Sequence, residues 1–383
     1  MTQTTADLSN WRTAPHSRWS FSHVDELLRV ANIAHGDAVT LPEGEALALD
    51  EVKCGSGTVA GFLRHSSTDG FLVLHKGKIV AETYPNMSAS ARHILFSVSK
   101  SVTGTLAGVL VAEGKLDPDA PVVHYVPEVK HAAYRDCTVR HVLDMTVDLD
   151  FEENYLDTTG DFARYRVSTG WNLPNPQLGN EGLHDFLTTV KPAHSRHGEV
   201  FKYISPNSDL LGWILERASG VSVAQLLSDK IWKPMGAETD AFITVDKKGG
   251  ARTAGGINTT LRDLARFAEM MRNEGKVGTR QIVPAEWVRD ICTGGSREAW
   301  ARGAMNHLFP NVSYRAKWYK ANDAAQSFYA LGIHGQWIYV NPKAEVTIVK
   351  FSSQPEPVND AMDVQTMAAC VAIAGVLGGS HEI

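Results

Sequence analysis

The chain has 383 residues, of which 43% are apolar and 21% charged, and carries a net charge of −6. That length and apolar content are enough for one large domain or two with a real core, and the ordinary charge fraction argues against disorder. The acidic balance leaves no basic stripe to neutralise phosphates, which argues against a nucleic-acid partner, and no repeat period points to a solenoid or propeller.

In chain order, Met1–Asn10 has neither a basic start nor an apolar run and does not read as a secretory signal. Residues His23–Ile33 and Ser56–Arg64 read as helices. Phe71–Tyr84 reads as two strands about a tight Lys76-Gly77-Lys78 turn. Val98, Val102, Leu106 and Val109 then recur at helical spacing. Gly104 and Gly108 on that helix would let a neighbour approach closely, and it stops near Glu113-Gly114. Residues 148–184 form a long irregular segment rich in Gly, Pro, Asn and aromatic residues, and a loop of that length is more often a functional lid than a connector.

Helices follow over Asp185–Val190 and Ser208–Ala218. Strand signals return at Ala241–Val245, and Phe328–Val340 and Glu345–Ser352 read as an antiparallel pair joined at Asn341-Pro342. Thr260 caps a helix running to Met271, and Asp363–Leu377 closes the chain as another. The most apolar run, Ala368–Gly378, is far short of a bilayer span, so no membrane partner is expected. Cys54, Cys137, Cys292 and Cys370 show no Cys-x-x-Cys spacing. They read as free thiols of a reducing compartment, which makes the cytoplasm the expected location. Strands at both ends with helices between predict an α+β fold. An antiparallel sheet domain would cover 1–92 and 240–383, flanked by helices, with a mainly helical domain inserted over 93–239.

One motif carries chemistry. Ser97-Val98-Ser99-Lys100 puts a hydroxyl and an amine three residues apart at the head of a helix, and the chain holds this spacing of Ser and Lys only once. Residues i and i+3 share a helix face, so the amine can reach the hydroxyl. A serine is a weak nucleophile until a base takes its proton, and a lysine serves as base when burial keeps it neutral. The plain reading of the four residues alone is a capping serine on a core helix. A third group must pass the proton to the leaving atom, and Phe201-Lys-Tyr203-Ile-Ser205-Pro-Asn207 supplies a tyrosine, Tyr203, just before a helix. Taken alone, Tyr203 reads equally as a packed tyrosine.

Together, Ser-x-x-Lys at a helix head, Tyr-x-Ser ahead of Leu210-Leu-Gly-Trp-Ile-Leu-Glu216 and a late strand bearing Gly332-Ile333-His334-Gly335-Gln336 resemble the serine β-lactamase and penicillin-binding superfamily, in its tyrosine-bearing class C branch. Within it the chain is similar to the 6-aminohexanoate-dimer hydrolases, which are linear amidases, at Ser97–Thr103, Glu152–Asp157, Tyr203–Glu216, Asp263–Arg266 and Gly332–Gln336. The resemblance implies a β-lactamase/transpeptidase-like fold, Ser97 as acylated nucleophile, Lys100 as its proton acceptor and Tyr203 as proton donor to the leaving group. It implies an oxyanion hole from the backbone N–H groups of Ser97 and Ile333, and substrate contacts from Tyr155, Arg166, Ser205 and His334. Ser205, in the place of the usual second-motif asparagine, would support Lys100 by hydrogen bonding. His334-Gly335-Gln336 departs from the usual Lys-Thr-Gly. Arg166 stands where efficient dimer hydrolases carry an aspartate for the substrate amine. This suits a neutral or anionic acyl group better than a cationic one, the plain alternative being a solvated loop arginine.

No metal or other cofactor is required by this chemistry, and no His-Glu-x-x-His pattern occurs. The expected activity is hydrolysis of linear amides or short-chain carboxylic esters, with a small molecule as the partner. β-Lactamase or D,D-peptidase activity, or a catalytically silent binding module, are the alternatives. The oligomeric state is not legible, and a homodimer is left open.

Overall fold

Val346–Ser352, rich in β-branched and aromatic residues, is buried along its whole length, as a strand covered on both faces must be. In the computed structural model, which describes residues 5–379, this strand lies near the middle of a seven-stranded antiparallel sheet. Of the opening decapeptide read for a leader, residues 1–4 lie outside the described residues. The strands run in the order Val312–Arg315, Trp318–Ala321, Phe328–Gly332, Gln336–Asn341, Val346–Ser352, Thr68–His75, Lys78–Thr83. Side chains alternate across the sheet. Leu72, Leu74, Ile338 and Val340 pack with the Leu261–Arg272 helix, whereas Phe71, Val73, Tyr339 and Ile348 pack with Asp360–Leu377 and Val59–His65. A smaller antiparallel sheet joins Val30–Ile33, Ala241–Thr244, Ile257–Thr259 and His93–Ile94.

The Val98–Ala112 helix is buried from Val98 through Leu110 and packs on the Ser205–Ser219 helix and on three strands of the large sheet. Its glycines explain the close fit. A Cβ on Gly104 would lie 2.1 Å from the carbonyl oxygen of Ala316, at the tip of the Val312–Ala321 hairpin. A Cβ on Gly108 would lie 2.4 Å from the indole ring of Trp287.

Several elements differ from expectation. His23–Ile33 is not a helix. A short 3₁₀ turn at Val24–Glu26 leads into the strand Val30–Ile33, because Val30–Ile33 finds an antiparallel partner in Ala241–Thr244. Phe328–Val340 is not one strand but two. His334 and Gly335 adopt positive φ values of 62° and 87°, which reverse the chain so that Gly332 pairs with Gln336. The 148–184 segment contains a helix, Asp161–Ser168. The last helix is longer than its apolar run, spanning the 18 residues Asp360–Leu377. By length and composition alone it could cross a membrane; in this fold Ala369, Cys370, Ile373 and Ala374 pack it on the sheet.

Candidate active site

The chain reaches Ser97 through a sharp bend. His93–Ile94 is tied to Asn258–Thr259, Leu95 N donates to Ile257 O, and Phe96 then takes a φ of 43°, in the left-handed region that a phenylalanine rarely occupies. Ser97 opens the helix with helical backbone angles, and its hydroxyl makes no capping bond. The capping interpretation of the motif therefore fails. The hydroxyl instead meets Lys100 Nζ at 2.7 Å, and Nζ also donates to Ala254 O at 2.8 Å.

The electrostatics suit a neutral amine. Burial pulls the Lys100 ammonium down to about 7; Glu153 and Asp209 oppose that shift, and Arg252 adds to it. Tyr203 lies so that Lys100 Nζ is 4.8 Å from its ring centroid. Desolvation and the Glu153 charge push its phenol well above the ordinary tyrosine range, while contacts with the Ser97 and Tyr319 hydroxyls partly offset the rise. A phenol held in its protonated form beside a half-titrated amine is a proton donor paired with a proton acceptor.

A cavity of about 630 Å³ opens on this cluster, and Ser97, Tyr155, Tyr203, Tyr319 and Ile333 lie in its wall. Gly332 makes that wall possible, since a Cβ there would meet Leu95 O at 2.7 Å; without one, Ile333 comes beside the Ser97 bend. A second recess of about 30 Å³ is lined by Ser97, Ser205 and Arg166, among others. Two of the implied contacts are placed differently from expectation. Ser205 does not reach Lys100: its N–H and Oγ donate to Glu153 at 2.6 and 2.8 Å, because the start of its helix turns toward that carboxylate. His334 is buried away from both spaces. Its positive φ turns the ring into the Phe21–Phe96 cluster, where Nδ1 meets Gln354 O at 2.6 Å and burial lowers the imidazole to about 4.

Sequence reasoning missed the groups that hold Lys100. Asp209 Oδ1 accepts from Ala254 N at 2.8 Å, and Oδ2 takes Arg252 and the Tyr165 hydroxyl, so this buried network fixes the Ala254 carbonyl. Ser99 Oγ accepts from Ile257 N at 3.1 Å. Asp209 sits within the Tyr203–Glu216 stretch, where an acid directly beside the apolar run Leu210–Leu215 was the available signal.

The family model described as Beta-lactamase matches residues 58–371. The 6-aminohexanoate-dimer hydrolase of Paenarthrobacter ureafaciens is 37% identical over 351 residues, covering 91% of this chain and 88% of that one. Esterase EstB of Burkholderia gladioli is 28% identical over 157 residues, covering 40% of this chain and 38% of its own. A solved Bacillus anthracis structure, provisionally named a 6-aminohexanoate-dimer hydrolase, superimposes with a TM-score of 0.90 at 26% identity, over 100% of this chain and 99% of that one. Bend, amine and phenol thus stand on a scaffold shared along nearly the whole chain with named hydrolases, and the chain belongs to the beta-lactamase family of serine hydrolases.

Proposed function

We infer that this enzyme hydrolyses linear amides and short-chain carboxylic esters through an acyl-enzyme on Ser97. Lys100 takes the Ser97 proton as the Oγ–carbon bond forms. The resulting oxyanion lies against the backbone N–H groups of Ser97 and Ile333, at the positive end of the helix. Tyr203 donates its proton to the leaving nitrogen or oxygen as that bond breaks, and is reprotonated from Lys100. Water then loses a proton to the same pair and attacks the acyl carbon, and Ser97 departs with its proton restored. Lys100 and Tyr203 titrate as a coupled pair in this scheme. The observation that carries the reading is the 2.7 Å approach of Lys100 Nζ to Ser97 Oγ, with the amine depressed to about 7.

The amidase and esterase named among the relatives support the substrate classes. We take 93–239 as a helical unit inserted into a sheet unit of 1–92 and 240–383. In support, the seven-stranded sheet draws its strands only from Thr68–Thr83 and Val312–Ser352. The four free cysteines support a cytoplasmic site of action.

The test is a panel of p-nitrophenyl acetate, p-nitrophenyl butyrate, 6-aminohexanoate dimer and nitrocefin, with the wild type and Ser97→Ala. Ester turnover that vanishes in the variant, with feeble nitrocefin cleavage, is expected. Nitrocefin as the best substrate would replace this reading with a β-lactamase, and turnover surviving Ser97→Ala would remove the acyl-enzyme.

A further inference from the structure

The 30 Å³ recess beside Ser97 has an unusual charge inventory. Arg12, Arg166 and Arg252 all line it, against Glu153, also in the wall, and Asp209 behind Arg252. The lining itself holds three guanidinium groups and one carboxylate; outside it, Asp209 offsets Arg252 and the Asp157 carboxylate acts on Arg166. Arg252 is paired with Asp209, and Glu153 is engaged by Ser205 and Tyr155. Among the described residues, neither Arg12 nor Arg166 has a carboxylate partner in hydrogen-bond range. Arg12 donates to the side-chain oxygen of Asn172, and Arg166 to the carbonyl oxygens of Tyr155 and Asp157. The Nε atoms of both Arg166 and Arg252 are buried with no acceptor among the described residues. Buried donors without partners are costly, and guanidinium forks are shaped for carboxylates.

The three cations are also held close to one another. Arg12 lies 5.1 Å over the Trp11 ring and 5.9 Å from Trp171, and Arg252 lies 4.9 Å from Trp171. Burial together with Arg166 and Arg252 lowers Arg12 to about 9, so an anion entering here would relieve a repulsion already present.

Building on the hydrolase reading above, we propose that this recess is an anion subsite in which Arg12 and Arg166 bind a carboxylate on the acyl half of the substrate, making half-amides and half-esters of short dicarboxylic acids the preferred class. The acyl half goes here because Tyr203, the proton donor to the leaving group, borders the large cavity and not the recess. Ser97, Glu153, Tyr155 and Ile333 border both spaces, so a carbonyl at Ser97 would send its two substituents in different directions. The recess is small, at about 30 Å³, which limits the acyl chain to a few carbons.

The test compares the 4-nitroanilides of succinic acid (free carboxylate), butyric acid and β-alanine in the wild type, Arg12→Gln, Arg166→Gln, Arg166→Lys and Arg166→Asp. A charge-assisted bond predicts that the wild type prefers succinyl over butyryl by at least about tenfold in kcat/KM. That ratio should collapse in both Gln variants and survive in part in Arg166→Lys, while Arg166→Asp should turn the preference toward β-alanyl. Equal use of succinyl and butyryl substrates by the wild type, or a ratio unmoved by both Gln substitutions, overturns the subsite and leaves the hydrolase reading intact. If the wild type turns over neither these anilides nor p-nitrophenyl butyrate, the hydrolase reading fails. The subsite is then decided by calorimetric titration with succinate. Binding lost in Arg166→Gln sustains it, and no binding to the wild type at millimolar succinate overturns it.

Discussion

Lys100 is held between two oxygens, Ser97 Oγ at 2.7 Å and Ala254 O at 2.8 Å, so its amine cannot swing away from Ser97 without losing its carbonyl partner. In the proposed reaction the reactive form is the neutral amine. With the ammonium depressed to about 7, kcat/KM on p-nitrophenyl butyrate should rise with pH along a limb centred near 7. It should then stay level to pH 9.5, because the Tyr203 phenol is shifted above its ordinary range and remains protonated. Lys100→Ala should lose at least about 100-fold, the lower end of general-base contributions. A flat profile from pH 5.5 upward would contradict the assignment of base.

Glu153 is the strongest charge favouring the Lys100 ammonium, and its oxygens accept from Ser205 and Tyr155. Glu153→Gln keeps an acceptor and removes the charge. Removal of a negative neighbour lowers the pKa of an amine, so the acid limb of the profile should move to lower pH. A shift to higher pH would mean that Glu153 acts on Lys100 by some route other than its charge.

Tyr203→Phe separates leaving groups. A nitrophenolate departs without a proton, whereas an amine does not. The substitution should cost amide turnover about 100-fold and p-nitrophenyl ester turnover much less. Equal losses on both in kcat/KM, which reports acylation and not the later attack of water, would make Tyr203 a packing residue.

Gly104→Ala should be destabilising. Its Cβ would fall 2.1 Å from Ala316 O, a backbone atom of a hairpin tip that is pinned where Ser101 Oγ donates to Lys317 O and Lys317 Nζ to Val142 O. Relief requires the helix and hairpin to separate, at a cost of about 1–3 kcal/mol. The midpoint of urea unfolding, followed by circular dichroism, reports it; an unchanged midpoint would show that the contact is not tight.

Much of this architecture was legible before any coordinates, for local reasons. The 97–113 helix, the Thr68–Thr83 hairpin and the Thr260 cap each announce themselves through periodicity or a single side chain that accepts from Asp263 N. What stayed hidden depends on distant partners. Val30–Ile33 becomes a strand only because residues 241–244 lie alongside it. The turn at His334 needs two successive left-handed residues that no pattern rule requires of a histidine. The Ser97–Lys100 spacing was visible because it is local to one helix. Arg12 and Arg252 were not, since they reach the same recess from positions 240 residues apart in sequence. Ser205 turns to Glu153 and not to Lys100; motif position alone does not reveal which neighbour a hydroxyl meets.

The left-handed kink at Phe96 has a consequence for how the enzyme meets its substrate. A strand anchored to Ile257 enters the kink and a helix buried from Val98 to Leu110 leaves it, so the direction of the Ser97 oxygen is settled by folding alone. An arriving amide does not have to organise its attacker, and none of its affinity is consumed in doing so.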